Sequence, residues 1–333
     1  MNNVLSRWFS RPPVTHMVRG ALQVLLAVPI ICANAQGIPD KPIRLIAPMA
    51  PGGAVDTIAR MVGQQLSTQV GQPVLVENKP GAGGTIAAGL VSRAEPDGYT
   101  VFVADTGQLS INPSLYKKLP YDVSKPFVPV TEAVITPLFV AVNASLPIHS
   151  MQDLVAYAKT HPLAYGSIGT GSVHHLSMES LALQSGIKLT HIPYKGAAPA
   201  AVALAGNEVG VAALSLSSLT PLLTSHKIRL IAVTTRARAT VKPEVPSVAE
   251  SGVPGYDVGV GIGFVLPPGT PQPVATRLQD AIVKAMASPE IKQKVESFGW
   301  EVRASTQQQY TQQIKDDAIK YRKLIDATGA QVD

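Results

Sequence analysis

Three glycine-rich segments of this sequence, each between a predicted strand and a predicted helix, carry residue types suited to binding an anion. The first segment, residues 48–56, contains the pair Gly52 and Gly53 shortly before Asp56. Glycines let the backbone approach a ligand closely, and the helix that follows presents unpaired N–H groups and a partial positive charge. This combination binds carboxylates or phosphates, although an ordinary tight turn with Asp56 in the first helical turn explains the segment as well.

The second segment, residues 78–85, is rich in glycine but matches neither of the common nucleotide-binding motifs. It lacks the Gly-Lys-Ser/Thr sequence of a P-loop, and Ile86 stands where a dinucleotide-binding motif needs its third glycine. A general anion-binding nest and a flexible turn both remain as interpretations.

The third segment, residues 166–172, adds the hydroxyl groups of Ser167, Thr170 and Ser172 to another strand-to-helix loop. Three such loops on successive strand–helix units predict a ligand site at the carboxyl ends of parallel strands. Each loop is weak evidence by itself, and the prediction rests on all three together.

Two adjacent histidines, His174 and His175, follow the third segment and raise the questions of a metal site and of catalysis. Neighbouring residues on a helix point in different directions, and no histidine or cysteine stands at metal-ligand spacing from them. We therefore expect no metal and no cofactor. An exported serine hydrolase using Ser172 or Ser167 with either histidine is a remote alternative, because the G-x-S-x-G frame is missing and only closeness in sequence supports it. We expect no enzymatic activity.

The elements that position these loops alternate between strand and helix, which predicts an α/β fold. A proline-rich stretch, residues 113–137, precedes the fourth strand. The predicted strands are 43–47, 74–77, 100–103, 138–142, 163–167, 189–193, 209–214, 228–233 and 259–266. The predicted helices are 56–70, 85–93, 150–159, 173–184, 199–204, 219–224, 273–286, 289–298 and 307–328.

The first 35 residues have the pattern of a secretory signal peptide. Three arginines and no acidic residue precede the apolar run 21–32, which is followed by Ala33-Asn34-Ala35. We expect cleavage after Ala35 and a location in the periplasm. A membrane anchor is the alternative, but the apolar run is shorter than the roughly 20 residues that a span needs.

The composition of the remaining chain excludes some classes of partner. The only cysteine, Cys32, lies in the predicted signal peptide, so the mature chain has no thiol, which suits an oxidising compartment. Removal of three arginines lowers the formal charge from +6 to +3. Because no basic stripe interleaved with aromatic residues occurs, we expect no binding to nucleic acid. A weakly positive protein slightly favours small anions.

The ordered set of motifs along the chain resembles the tripartite tricarboxylate transporter receptor family, also called Bug proteins. Characteristic pieces include Ala50-Pro51-Gly52-Gly53 and Pro193-Tyr194-Lys195-Gly196. Single pieces are unspecific, but their order is specific and spans nearly the whole mature chain. The segments that carry the resemblance are 41–44, 50–60, 77–84, 96–100, 112–116, 169–176, 193–200, 243–256 and 267–271.

This resemblance implies a periplasmic binding protein of the venus-flytrap type. Its two α/β domains would each consist of a mainly parallel sheet flanked by helices, joined by crossing strands at 138–142 and 259–266. The expected boundaries place residues 36–138 and 263–333 in the first domain and residues 139–262 in the second. Domain closure would couple ligand occupancy to recognition by a membrane partner.

The resemblance also implies the ligand and the partners. A small organic carboxylate would lie in the cleft between the domains, held by loop amides, hydroxyl groups and bridging waters. The protein, expected to be a monomer, would deliver it to transporter subunits in the cytoplasmic membrane, or alternatively serve a sensor protein that feeds a signalling system. The expected ligand-binding residues are Pro51, Gly52, Gly53, Ala54, Asp56, Gly83, Gly84, Asp105, Thr106, Ser167, Gly169, Thr170, Gly171, Ser172, His174, Tyr194, Lys195, Ala203 and Ser215.

Four positions depart from the pattern of the family. Ala203 and Gly210 stand where the family usually has aspartates, and Gly261 stands where many members have a tryptophan. Asp105 replaces a small or hydroxylated residue at the end of the third strand. An acidic group there would repel a carboxylate unless it is capped, paired or in contact with an amine. These departures concern the ligand more than the fold.

Overall fold

The computed structural model describes residues 41–332, so the predicted signal peptide lies outside the described residues. Strands and helices alternate along this part of the chain, as the sequence predicts. The strands are β1 (Ile43–Ala47), β2 (Val74–Asn78), β3 (Thr100–Asp105), β4 (Val128–Asn143), β5 (Ala164–Ser167), β6 (Thr190–Pro193), β7 (Val211–Ser215), β8 (Ile228–Val233), β9 (Gly259–Leu266) and β10 (Glu301–Val302).

The helices begin and end at local signals in the sequence. Ser172 and Thr306 cap helix N-termini through their hydroxyl groups, and Gly71 ends the first helix in the left-handed conformation. The helices are α1 (Ala54–Val70), α2 (Thr85–Val91), α3 (Asn112–Leu115), α4 (Met151–Thr160), α5 (Val173–Ser185), α6 (Ala197–Ala205), α7 (Leu216–Thr224), α8 (Gln272–Met286), α9 (Pro289–Ser297) and α10 (Gln307–Thr328).

Eight of the ten strands described form one path, β2-β1-β3-β9-β4-β7-β5-β6, in which β4 belongs to two sections of sheet, and β8 and β10 each pair with β4 off this path. In the first section β1 is parallel to β2 and β3, while β9 is antiparallel to β3 and to residues 128–137 of β4. In the second section β5 is parallel to β6 and β7, and residues 138–143 of β4 are antiparallel to β7 and β8. This arrangement confirms the predicted α/β class.

Strand β4 begins at Val128, well before the predicted start at residue 138, and includes Pro129 and Pro137. A proline cannot donate a ladder hydrogen bond, so it lowers the strand signal of its neighbourhood. The pairing of β4 with β9 shifts register between Pro129 and Thr131. Such an irregularity is where a strand tolerates proline, and it explains why the sequence pattern missed this half of β4.

The predicted domain boundaries fall inside strands. The boundary after residue 138 lies within β4, and the boundary after residue 262 lies within β9, which pairs with the first section over its whole length. All described residues belong to one compact unit, and the division into two domains stays a prediction. Among residues 41–332, the helices are all too short or too polar to cross a membrane.

Candidate functional site

Asp56, the third residue of α1, holds the first loop, residues 48–56, in place through hydrogen bonds. Its buried carboxylate accepts hydrogen bonds from the backbone N–H of Gly52 (2.9 Å), from Asn78 Nδ2 (2.8 Å) and from two nitrogens of Arg60 (2.9 and 3.0 Å). Burial would raise the pKa of Asp56, but these donors hold it below its usual value. Asn78 also donates to the carbonyl of Met49 (3.0 Å). Asp56 therefore fixes the loop that was predicted to meet a ligand.

Residues that follow β3 hold the second loop in place. The carbonyl oxygen of Gly83 accepts from Gln108 Nε2 (3.2 Å) and from Asn112 Nδ2 (3.0 Å). A Cβ atom at Gly83 would lie 2.6 Å from the hydroxyl of Tyr116, and Gly84 is equally close to Gln108. Both glycines have positive φ, so they are needed for the path of the backbone and for its close packing.

The third loop meets the first section through Leu115 at the end of α3. A Cβ atom at Gly171 would overlap the side chain of Leu115, so only glycine fits at this contact. Gly171 also has a φ of 77°. Because α3 contacts the second loop through Asn112, the carboxyl ends of both sheet sections come together here. The three loops predicted from the sequence therefore form one neighbourhood.

The third loop uses two of its own amides internally. The N–H of Gly169 donates to Ser167 Oγ (3.1 Å), and the N–H of Gly171 donates to His175 Nδ1 (3.1 Å). Ser172 Oγ donates to the carbonyl of Gly169 (2.7 Å) and accepts from the N–H of His175 (3.2 Å). These amides are unavailable to a ligand, although both glycines were among the predicted contacts.

The exposed residue between them, Thr170, has no hydrogen-bond partner within residues 41–332 for its amide or its hydroxyl group. The first amides of α5, at Val173 and His174, also lack intrahelical acceptors, as in any helix. In the first sheet section, the N-cap residue of α1 is Gly53, which has no side chain to cap the helix. The free donors of the site therefore come from both sheet sections.

Behind the third loop lies a stack of aromatic rings. The ring of His175 stacks on that of His191 at 4.0 Å, and His191 stacks on Tyr165 at 5.0 Å. Ser167 Oγ lies 2.7 Å from His191 Nε2, and the hydroxyl of Tyr165 donates to Glu179. Burial and the neighbouring His191 lower the pKa of His175 to about 4, and burial also lowers that of His191. Both imidazoles are neutral near pH 7.

Asp105 and Thr106 lie at the end of β3, as predicted, and both have partners. Asp105 Oδ1 accepts from the N–H of Gly107 (2.6 Å), and Gln108 Oε1 accepts from the N–H of Asp105 (2.8 Å). Burial raises the pKa of Asp105 to about 6, against the effect of these hydrogen bonds. The hydroxyl of Thr106 accepts from the N–H of Gly261 (3.0 Å) and so ties β3 to β9.

The carboxyl group of Glu132 occupies the space that a larger residue at position 261 would need for its side chain. A Cβ atom at Gly261 would overlap Glu132 Oε1. Burial raises the pKa of Glu132 to about 7, with a further rise from Asp317 and an opposing effect of Arg303. Glu132 also borders an open polar pocket of about 410 Å³. Glycine at position 261 thus brings an acidic group close to Thr106.

Four other predicted contacts, Tyr194, Lys195, Ala203 and Ser215, lie on the second sheet section in different surroundings. Ala203 is buried in the core of the second section, and Lys195 is exposed. The ring of Tyr194 packs near Gly166, and its pKa is raised by burial and by the nearby Glu208. Ser215 contacts two serine hydroxyl groups at the start of α7. The role of all predicted contacts, including Pro51 and Ala54, stays a prediction.

His174 is half-buried, and its Nδ1 atom, which is shielded from solvent, has no hydrogen-bond partner within the described residues. Burial lowers the pKa of His174 to about 4, so the ring is neutral near pH 7. An unpaired polar atom in a buried position is costly unless a ligand or water satisfies it. This atom lies in the first turn of α5, beside the free amides described above.

The serine–histidine pairs of the hydrolase alternative do not form. Ser167 is fully buried and lies against His191, and Ser172 caps α5 rather than contacting an imidazole ring through its hydroxyl. Within residues 41–332 no group of three or more His, Cys, Asp or Glu residues is arranged to hold a metal ion.

Sequence reasoning missed several residues that shape the site, namely Gln108, Asn112, Glu132 and His191. Gln108, Asn112 and His191 act on loops far away in sequence, and Glu132 lies against Gly261 of β9, so spacing along the chain does not identify these partners. Asn78, which is half-buried, and Asn112, which is buried, do lie within the ordered motifs next to glycine-rich loops. That combination is a usable signal, because a buried carboxamide needs partners and a loop carbonyl supplies one.

Comparison with known proteins gives consistent results. The model of the family described as "Tripartite tricarboxylate transporter family receptor" matches residues 58–330. A UPF0065 protein of Bordetella bronchiseptica is 36% identical over 302 residues, which cover 91% of this chain and 90% of that protein. Rpa4515 of R. palustris, solved with adipate, has a TM-score of 0.79 at 32% identity, covering 88% of this chain and 99% of that one. MatC of Rhodopseudomonas palustris, solved with malate, has a TM-score of 0.75 at 28% identity, covering 86% of this chain and 99% of that one.

Proposed function

The chain belongs to the tripartite tricarboxylate transporter receptor family, and we propose from this premise that it captures a small organic carboxylate between its two sheet sections. The observation that carries the proposal is the meeting of free donors from both sections. In the first section these donors are at the start of α1, which has no side-chain cap, and in the second section they are Thr170 and the first turn of α5. Helix N-termini and loop amides favour negatively charged groups.

The class of ligand that we propose is a dicarboxylate of about four to six carbons. One carboxylate would meet the start of α1, and the other would meet Thr170 and the start of α5. Malate and adipate, found in the related structures, span this range of lengths. Arg60 beside the first loop is paired with Asp56, so we propose that amides, hydroxyl groups and water hold the ligand.

Location and partners are part of the same proposal. The signal-peptide pattern of residues 1–35 and the family support export to the periplasm and delivery of the ligand to transporter subunits in the membrane. A receptor that reports to a sensor protein is the alternative. Neighbouring genes distinguish the two: genes for a large and a small membrane subunit favour transport, and a gene for a sensor kinase favours signalling.

The test is binding of malate, adipate and benzoate to the mature protein, measured by thermal shift and by calorimetry. A ligand at 100 times its Kd stabilises the folded state by about 2.7 kcal/mol. We expect a dicarboxylate to raise Tm and its diamide analogue to have no effect. The variant Thr170→Val keeps the shape of the side chain but removes the free hydroxyl, and we expect weaker binding with an unchanged Tm without ligand.

A matched control is Thr220→Val, whose hydroxyl donates only to the helix backbone on α7. This variant should bind like the wild type. The proposal is wrong if no carboxylate of three to six carbons changes Tm or releases heat at millimolar concentration.

A further inference from the structure

We propose that His175 is a positioning residue for ligand binding, whose neutral imidazole holds the third loop, residues 166–172, in its binding conformation. The inference rests on the proposed function, because it assigns a role within the same site. It begins from the hydrogen bond that the N–H of Gly171 donates to His175 Nδ1 at 3.1 Å. This bond requires Nδ1 to be without a proton.

The bond fixes the tautomer of His175. If Nδ1 accepts, the proton of the neutral ring must lie on Nε2. Nε2 faces Glu179 Oε1 at 3.9 Å, and that carboxylate is itself held by the hydroxyl of Tyr165. The charge of Glu179 favours a proton on the side of the ring that faces it. The surroundings therefore select the tautomer that the loop needs.

Stacking fixes the plane of the ring as well as its tautomer. The ring of His191 lies 4.0 Å from that of His175 with an angle of 24° between them, and the ring of Tyr165 lies 6.2 Å away with an angle of 11°. His191 in turn contacts Ser167 Oγ, which accepts the N–H of Gly169. The two imidazoles thus hold the two glycine amides on either side of Thr170.

The consequence for the ligand lies at Thr170. With the amides of Gly169 and Gly171 drawn to Ser167 and His175, the exposed Thr170 between them keeps its amide and its hydroxyl unpaired. Both glycines have positive φ, at 134° and 77°, so the loop has a conformation that needs support. Loss of the acceptor at His175 would free the amide of Gly171 and let the loop reorganise.

Protonation of His175 would have the same effect as losing the acceptor. A proton on Nδ1 would face the N–H of Gly171, and two donors cannot share one hydrogen bond. The groups that face the ring are Glu179 on α5, His191 on β6 and Tyr165 on β5. Of these, only Glu179 favours a charged imidazole, and it lies beyond hydrogen-bond distance.

The test separates the acceptor from the ring with two variants. His175→Phe keeps an aromatic ring in the stack but removes the acceptor, whereas His175→Asn keeps an acceptor near the Nδ1 position but removes the ring. We expect His175→Phe to bind the dicarboxylate about tenfold more weakly and to lose some Tm, because the buried N–H of Gly171 loses its acceptor while the ring stack is kept. We expect His175→Asn to lower Tm but to retain affinity within about threefold.

The control is His161→Phe, because His161 also stacks on an aromatic ring, Tyr157 at 4.3 Å, but lies on the surface away from the loops. It should leave affinity unchanged. If His175→Phe binds as tightly as the wild type, or if both His175 variants lose affinity in proportion to their loss of Tm, His175 has only a packing role.

Nuclear magnetic resonance supplies a readout that does not depend on the ligand. In the wild type at pH 7, the imidazole ¹⁵N shifts should show a proton on Nε2 of His175, and the amide of Gly171 should shift when His175 is protonated by acid. A proton on Nδ1 at pH 7 would overturn the inference. If the wild type binds no carboxylate but shows the expected tautomer, the proposed ligand is wrong while the support of the loop by His175 stands.

Discussion

At the scale of single residues, Asp56, which is among the predicted ligand contacts, holds the first loop in place. Its carboxylate receives four hydrogen bonds, from Gly52, Asn78 and two atoms of Arg60. A carboxylate with this many donors has little capacity left for a ligand, and its charge would repel an anion. The hydrogen bond from Gly52 shows that Asp56 holds the backbone of the first loop, and a contact of Asp56 with the ligand stays a prediction.

We predict that Asp56→Ala destabilises the protein by about 2 kcal/mol, because buried donors of the first loop lose their acceptor. It should also weaken dicarboxylate binding, since the loop before α1 is no longer fixed. Urea unfolding and calorimetry measure the two effects. The control is Glu244→Ala, since Glu244 lies on the surface in an ion pair with Lys242 at 3.4 Å. Equal stability of the two variants would contradict the role given to Asp56.

At the scale of elements, two glycines of β9 decide how closely its neighbours approach. A Cβ atom at Gly263 would lie 2.6 Å from the backbone oxygen of Thr131 and 2.5 Å from the hydroxyl of Tyr310 on α10. At Gly261 the overlap is with Glu132 Oε1, the end of a flexible side chain. A side chain can move aside, but a backbone carbonyl in a sheet cannot.

We therefore predict that Gly263→Ala costs about 3 kcal/mol of stability and Gly261→Ala about 1 kcal/mol, measured by urea unfolding. The double variant Gly261→Ala/Glu132→Ala should be less destabilised than the sum of its single changes, because the overlapping group is gone. Additive effects of Gly261→Ala and Glu132→Ala would show that the two side chains do not compete for this space.

The bounds of some elements could be predicted from the sequence, and those of others could not. Periodicity and punctuation by glycine and proline place β1, α5 and α10 close to their observed bounds, because those signals are local. The first half of β4 is missed because Pro129 and Pro137 weaken the strand pattern while pairing with β9 overrides it. The three binding loops are recognised from glycine and hydroxyl content.

The hydrogen bonds and contacts within those loops could not be predicted from the sequence. The contact of Ser167 with His191 joins residues 24 positions apart, and that of Gly171 with Leu115 joins the two sheet sections. Such contacts depend on how the sections pack, which no local pattern encodes. Sequence reasoning therefore identified the loops but could not tell which of their amides are free.

At the scale of the whole molecule, buried titratable groups act on stability in opposite directions. Burial raises the pKa of Asp105 to about 6 and that of Glu132 to about 7, so the folded state holds protons that the unfolded state has lost. These groups lower stability as pH rises from about 4 to 7. Burial lowers the pKa values of His174 and His175 to about 4, so these groups raise stability as pH rises from about 4 to 6.5.

The two effects oppose each other below pH 6.5. We therefore predict that the Tm of the wild type is nearly constant between pH 4.5 and 6.5. Above pH 6.5 the wild type should lose stability, because Glu132 is the one of these four groups that still titrates there. Glu132→Gln removes the largest acidic contribution. Its Tm should rise from pH 4.5 to 6.5 and exceed that of the wild type by about 3 °C at pH 8, because no charge is then buried beside Thr106.

His175→Phe should change the pH profile of Tm in the opposite sense, with a Tm that falls from pH 4.5 to 6.5. Scanning calorimetry across this range measures both, and profiles parallel to the wild type would mean that neither group titrates as the buried geometry requires.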